Sequence, residues 1–173
     1  MKGCYTLVLH LPTGIGLTVG KLGDFHFSAG YYLYFGSALN SLEGRLRRHL
    51  TREKKRHWHI DFLTSVAQLV QVWWTTQSKS LECSWAQRAL EKASTSVLVP
   101  GFGSSDCRSC PAHLVHAPSW HEVQQMRERL ELDSPGGLFI SNGPGGSPVY
   151  WPENSASWNC LSLPVLVLYN WLA

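Results

Sequence analysis

No apolar run in these 173 residues is long enough to cross a membrane. The longest, Leu161 to Leu172, is short and is broken by Pro164 and Asn170, whereas a spanning helix needs about 20 apolar residues. A secretory leader is missing too: Met1-Lys2-Gly3-Cys4-Tyr5 runs straight into a strand-like alternation. Both absences point to a cytoplasmic protein with no membrane partner. An even set of cysteines is lacking as well. Five thiols in a chain without a secretory signal favour reduced cysteines or a metal site over a disulfide framework. There is no internal repeat. Basic residues are absent beyond Arg129: all 15 Lys and Arg lie before that point, with nine of the 12 acids, and Glu131, Asp133 and Glu153 follow without a base. A basic body of this kind suits a polyanionic partner.

What is present reads as one globular domain, with 44% hydrophobic and 16% charged residues. Gly3 to Leu11 alternates, with Tyr5, Leu7, Leu9 and Leu11 on one face, as a strand does. Pro12 to Gly23 holds four glycines around a short strand expected at Leu17–Val19, and Asp24–Phe27 and Tyr31–Phe35 read as further strands. Leu42, Leu46 and Leu50 repeat every four residues as the buried stripe of a helix, which Asn40 or Ser41 is placed to cap. A short helix at Ile60–Val66, a strand at Gln68–Thr76 and a helix at Leu81–Ala93 follow. Then come a Gly/Ser/Cys loop at Val99–Pro111, a strand at Ala112–His116, and a helix opened by Ser119 with Glu122 and running to about Leu132. These elements predict an α+β fold with a small, mainly antiparallel central sheet flanked by helices. The composition changes after Leu132. Residues 1–132 are expected to form the domain, and 133–173, rich in Gly, Pro and Ser, an irregular and mobile tail.

Phosphodiester hydrolysis needs an activated water, charge stabilisation at phosphorus and, as a rule, a divalent metal. Tyr5 in Gly3-Cys4-Tyr5 and Tyr34 in Tyr34-Phe35-Gly36 carry hydroxyls that can hold a phosphate or a water. Arg45 and His49 lie four apart and so share a helix face, where they offer a phosphate clamp and a proton relay. Glu82, at the start of a helix, offers a hard oxygen ligand for Mg²⁺ or Mn²⁺. Singly, each of these is an ordinary packing, solvated or helix-end residue. Together and in this order they resemble the GIY-YIG nuclease superfamily. The chain is most similar to its compact Uri-type subgroup, through Tyr34-Phe35-Gly36-Ser37-Ala38, His57-Trp58-His59-Ile60-Asp61, Glu82-Cys83 and Gly101-Phe102-Gly103-Ser104-Ser105-Asp106-Cys107. The resemblance spans residues 2–116. It implies a nuclease in which Tyr5, helped by His49, positions or deprotonates the water. Tyr34 would bind the phosphate or the water, Arg45 would stabilise the transition state, and Glu82 would hold one metal ion. The sequence departs from the family pattern at three points. Cys4 and Phe35 replace aliphatic residues, the tyrosines stand 29 positions apart, and no Asn occurs between Cys83 and Ser105.

Between Arg45 and Arg56 stand seven bases and one acid. Arg47, Arg48, Arg52, Lys54, Lys55 and Arg56, with His57 and His59, form the candidate nucleic-acid-binding surface, and DNA is favoured over RNA. Trp58, Trp73 and Trp74 are candidates for base stacking. His57 and His59 would share a face of an extended segment, in a corner that is either structural or part of substrate binding. Cys107-x₂-Cys110-x₂-His113 has zinc-ligand spacing, with Cys83 or His116 as a fourth ligand. Such a zinc would be structural and would brace the Glu82 helix. Two other readings of the same residues are a domain of this fold that binds nucleic acid without cutting it, and a zinc-braced interaction domain.

Overall fold

The computed structural model describes residues 2–51, 54–76, 81–105, 107–130 and 138–139. The described chain is α+β. Its centre is a four-stranded antiparallel sheet in the order β6-β4-β1-β5, formed by β6 (Leu114–Ala117), β4 (Gly30–Ala38), β1 (Gly3–Leu11) and β5 (Gln68–Thr75). A two-residue strand, β7 (Leu138–Phe139), adds to the free edge of β5 within the segment expected to be tail. The rest of that segment, and Arg52, lie outside the described residues.

β1 is central because both of its faces are apolar. Tyr5, Leu7, Leu9 and Leu11 enter one core, and Cys4 and Val8 enter the other. The first core is closed by α1 (Leu42–Leu50) and α2 (His59–Leu63), the second by α3 (Glu82–Leu90) and α4 (Trp120–Arg129). The 29-position gap between Tyr5 and Tyr34 houses a separate hairpin, β2 (Ile15–Thr18) with β3 (Asp24–Phe27), joined through a 3-10 turn at Gly20–Leu22. It leaves the β1–β4 pairing in register, with Tyr5 opposite Gly36 and Tyr34 opposite Leu7.

Local chemistry sets the helix ends. Ser41 Oγ accepts the Gly44 N–H at 2.9 Å and starts α1, while Leu42 and Leu46 bury its inner stripe. At the other end, Lys54 Nζ donates to the carbonyls of Arg48 (3.2 Å) and His49 (3.0 Å), a cation on orphan C-terminal acceptors. Ser119 Oγ accepts the Glu122 N–H and opens α4 as expected. The short helix starts one residue earlier than the sequence predicts. Asp61 reaches back to accept the N–H groups of His57 (2.9 Å) and Trp58 (3.0 Å), so His59 is already helical. His57 and His59 therefore do not share one face of an extended segment. α3 is shorter than expected, ending at Leu90, and the strand expected at Ala112–His116 forms as Leu114–Ala117. Among the described residues, no helix is long and apolar enough to cross a membrane.

Candidate functional site

Two side-chain clusters lie against the ends of β1 and β4. The first centres on Tyr5, which is 2% exposed and makes a 2.8 Å hydrogen bond to His49 Nε2. The Tyr34 ring stands 6.4 Å from Tyr5 and 6.4 Å from His49, centre to centre. Arg45 joins from the preceding turn of α1, its guanidinium carbon 4.2 Å from the Trp58 ring centre, and its charge favours ionisation of both phenols. Tyr5, Tyr34, Arg45 and His49 are thus brought together on the α1 face of the sheet.

Glu82 arrives from the other face. Its carboxylate accepts from Ser37 Oγ at 3.1 Å and from the Cys4 thiol at 3.7 Å, on a residue pair directly opposed across β1 and β4. Its charge is felt by Tyr5 and Tyr34. Gly36 is the bare position of the tyrosine cluster. A Cβ there would stand 2.6 Å from both Cζ and Oη of Tyr5, inside any tolerated contact. The glycine of Tyr34-Phe35-Gly36 is therefore a seat for the Tyr5 phenol. Gly36→Ala is expected to cost about 2 kcal/mol of stability through overpacking and to displace Tyr5 from His49. Thermal melting, together with the His49 ring chemical shifts, checks both effects.

Burial governs the protonation states. Burial first, then the neighbouring Tyr34, pushes the Tyr5 phenol well above its ordinary range, and burial lifts Tyr34 up to about 12. Burial, reinforced by the Lys54 charge, holds His49 down to about 3. At neutral pH the site thus holds two phenols and a neutral imidazole. His49 Nδ1 is buried without a partner among the described residues.

The basic run divides in two. Arg48 turns inward, making paired 3.0 and 2.9 Å bonds to the carboxylate of Asp61, and Lys54 sits 3.7 Å from the same group. Burial would raise the Asp61 carboxyl, but Arg48 and the Trp58 and His57 N–H groups bring it down to about 2. These two cations hold the corner together. Lys55, Arg56 and His57 are exposed, and Arg56 also rests 5.3 Å from the Phe62 ring centre. Arg47 is exposed and pairs with Glu43, with both side chains nearly half in solvent (45% and 43%), a weak contact. His59 is tied down, its Nδ1 accepting the Gly103 N–H at 3.1 Å. Of the candidate stacking residues, Trp73 is 1% exposed and donates to Gln71, and the Trp58 ring carries the guanidiniums of Arg45 and Arg48, the latter at 4.1 Å.

The second cluster is Cys83, Cys107, Cys110 and His113, whose donor atoms all lie within 4.8 Å of one another, an arrangement that could hold a metal ion. Cys83 Sγ stands 3.2 Å from Cys107, 3.4 Å from Cys110 and 3.4 Å from His113 Nε2, and Cys110 is 3.0 Å from both Cys107 and His113. Hydrogen bonds from Cys110 and then Ser109 hold the Cys107 thiol at about 5, while burial first and the neighbouring sulfurs next raise Cys110. His116 is elsewhere, its Nε2 3.0 Å from the Ala29 carbonyl oxygen. Sequence spacing singles out Cys107, Cys110 and His113; only folding selects Cys83 over His116. Ser37 and Asp61 were the residues hardest to find. Both lie within the quoted motifs, but nothing in the spacing of Asp61 points to Arg48 and nothing in that of Ser37 points to Glu82.

The described residues thus define a small antiparallel α+β domain with a buried tyrosine–histidine pair, an acidic group whose charge reaches it and a thiol-rich cluster that could hold a metal ion. The chain belongs to the family described as "Domain of unknown function DUF123", which matches residues 4–132. No curated protein and no solved structure matches it.

Proposed function

We propose that this protein is an endonuclease of the GIY-YIG type that hydrolyses nucleic-acid phosphodiester bonds, DNA ahead of RNA, with Mg²⁺ or Mn²⁺. The observation that carries this reading is the gathering of Tyr5, Tyr34, Arg45 and His49 on one face of the sheet, with the Glu82 carboxylate reaching from the other face near enough for its charge to act on both phenols. Glu82 suits a hard divalent ion: it is a partly exposed carboxylate that accepts from the Ser37 hydroxyl and the Cys4 thiol. When bound there, the ion supplies charge neutralisation at the phosphate.

The residues perform the rest. Arg45, held against Trp58, donates to the phosphate oxygens as negative charge builds on them. Tyr34, kept as a phenol, donates a hydrogen bond to the phosphate or to the attacking water. Tyr5 takes the water's proton on Oη as it passes its own to His49 Nε2, so neither phenolate nor free imidazolium has to exist beforehand. Ser37 orients the Glu82 carboxylate.

The Cys83–Cys107–Cys110–His113 centre best suits zinc. Three thiolates and an imidazole form a closed set with no open position, as in structural sites. A zinc tetrahedron with Zn–S bonds of about 2.3 Å has edges of about 3.8 Å, so the five donor pairs now 3.0 to 3.4 Å apart need spread by only about half an ångström. Four described thiols left free of disulfides suit a reducing cytoplasm.

The test is single-turnover cleavage of labelled single-stranded, duplex and flap DNA and RNA with Mn²⁺. Wild type should cut at least one DNA substrate, and Tyr5→Phe should lower its rate roughly a hundredfold, the usual worth of a positioned proton acceptor. A wild type inert on the whole panel sinks the enzyme reading. Binding gives a separate expectation. Replacing Arg47, Lys55 and Arg56 with alanine should reduce the slope of log affinity against log salt by about 2 to 3, because each lost phosphate contact removes about 0.9 from it. Filter binding at several salt concentrations measures this. Arg48 and Lys54 are left intact in that variant because they hold Asp61.

A further inference from the structure

The thiol cluster is built into the supports of both halves of the candidate active site. Cys83 follows Glu82 on the first turn of α3, so whatever holds Cys83 Sγ also places Glu82. Leu81, at the N-cap, makes no side-chain cap, and its N–H reaches instead to Cys4 Sγ at 3.3 Å. On the other side, the His113 carbonyl accepts the N–H of Phe35, the residue after Tyr34, at 2.9 Å, and the His113 N–H donates to Phe102 at 2.8 Å. Gly103 follows with φ +71; a Cβ there would stand 2.6 Å from Tyr34 Cε2 and 3.4 Å from His113 Cβ. The loop that carries Cys107 and Cys110 therefore grips the Tyr34 ring at one end and runs into β6 at the other. Four donors from α3 and this loop, linked by one ion, span the interval between Glu82 and Tyr34.

We propose that a zinc ion at Cys83, Cys107, Cys110 and His113 is a positioning cross-link, and that Glu82 binds its divalent ion with full affinity only in the zinc-loaded protein. This rests on the reading of Glu82 as the site of that ion. It assigns the zinc no contact with substrate. Loss of zinc frees the first turn of α3 from the Tyr34 loop, and Glu82 then leaves the position set by Ser37.

The experiment measures zinc content by mass spectrometry on protein purified without chelator, then Mn²⁺ binding by electron paramagnetic resonance without nucleic acid. Wild type is expected to carry about one zinc per chain and to bind Mn²⁺, and Glu82→Gln to keep the zinc and lose the Mn²⁺. Cys107→Ser is the informative variant, since Cys107 is among the less buried ligands. It should lose zinc and bind Mn²⁺ at least tenfold more weakly, with unchanged circular dichroism and unchanged salt-dependent DNA binding. If this variant does not fold, wild type stripped of zinc by a chelator, then freed of the chelator, replaces it. Zinc well below one equivalent in wild type overturns the centre. Loss of zinc with Mn²⁺ affinity within twofold of wild type overturns the coupling while leaving the nuclease reading intact. Full zinc without Mn²⁺ binding in wild type overturns the role of Glu82, and the coupling with it.

Discussion

Glu82→Ala is expected to lower cleavage roughly a thousandfold or more while leaving the fold standing. The rate effect follows from losing the charge neutralisation that a divalent ion contributes at a phosphoryl centre, several kcal/mol of transition-state stabilisation at about 1.4 kcal/mol per decade. The fold should tolerate the change because the carboxylate is only partly buried and its partners are the Ser37 hydroxyl and a long 3.7 Å thiol contact. The same variant should retain DNA binding through the exposed bases. Single-turnover rates with thermal melts on the same preparations check the pair of outcomes. A variant that cuts as fast as wild type removes Glu82 from the chemistry; one that melts far below it shows that Glu82 is a packing residue.

Asp61→Ala should instead act on stability, by about 3 kcal/mol or roughly 10 °C in Tm. Its side chain is fully buried and accepts from Arg48, from the His57 and Trp58 N–H groups, and lies near Lys54. Removing it leaves two cations without their counter-charge, on carbonyl acceptors alone, and takes the acceptor from two backbone donors. The effect should spread to the site, because Arg48 shares the Trp58 ring with Arg45 and Lys54 caps the helix that ends beside His49. The acid response follows with its sign. Asp61 has a folded pKa lowered from 3.8 to about 2, so it contributes stability above pH 4, up to about 2 kcal/mol, which is lost as pH falls from 4 through 2. His49, lowered from 6.5 to about 3, stays neutral in the fold while the unfolded chain takes up a proton. Stability therefore declines from pH 6.5 downward on its account as well. Denaturant midpoints for wild type should fall in both windows. Asp61→Asn, which keeps the shape of the side chain, should retain the decline that His49 causes from pH 6.5 down to about 3 and lose the additional decline that Asp61 causes below 4.

Much of the architecture was legible because it depends on periods and caps. Tyr5, Leu7, Leu9 and Leu11 alternate whatever they pack against, and the bounds of β1, β3 and α1 match their patterns. Arg45 and His49 share a face because helical spacing is local. The short elements were less legible. α2 is placed by Asp61 reaching back to two N–H groups, and β6 by its register on β4, neither of which a hydrophobic period reports.

The order of tyrosines, arginine, histidine and glutamate, the basic stretch and the Cys-x₂-Cys-x₂-His spacing were determined by the sequence alone, because they are properties of the chain read in one direction. Tertiary structure decided which of them meet. It brought Cys83 rather than His116 to the thiols, because α3 packs against the loop while His116 turns to Ala29. It drew Arg48 and Lys54 out of the basic run, because a buried carboxylate must be compensated. It also made Gly36 the seat of Tyr5, since only the β1–β4 register sets a phenol where that residue's side chain would have been.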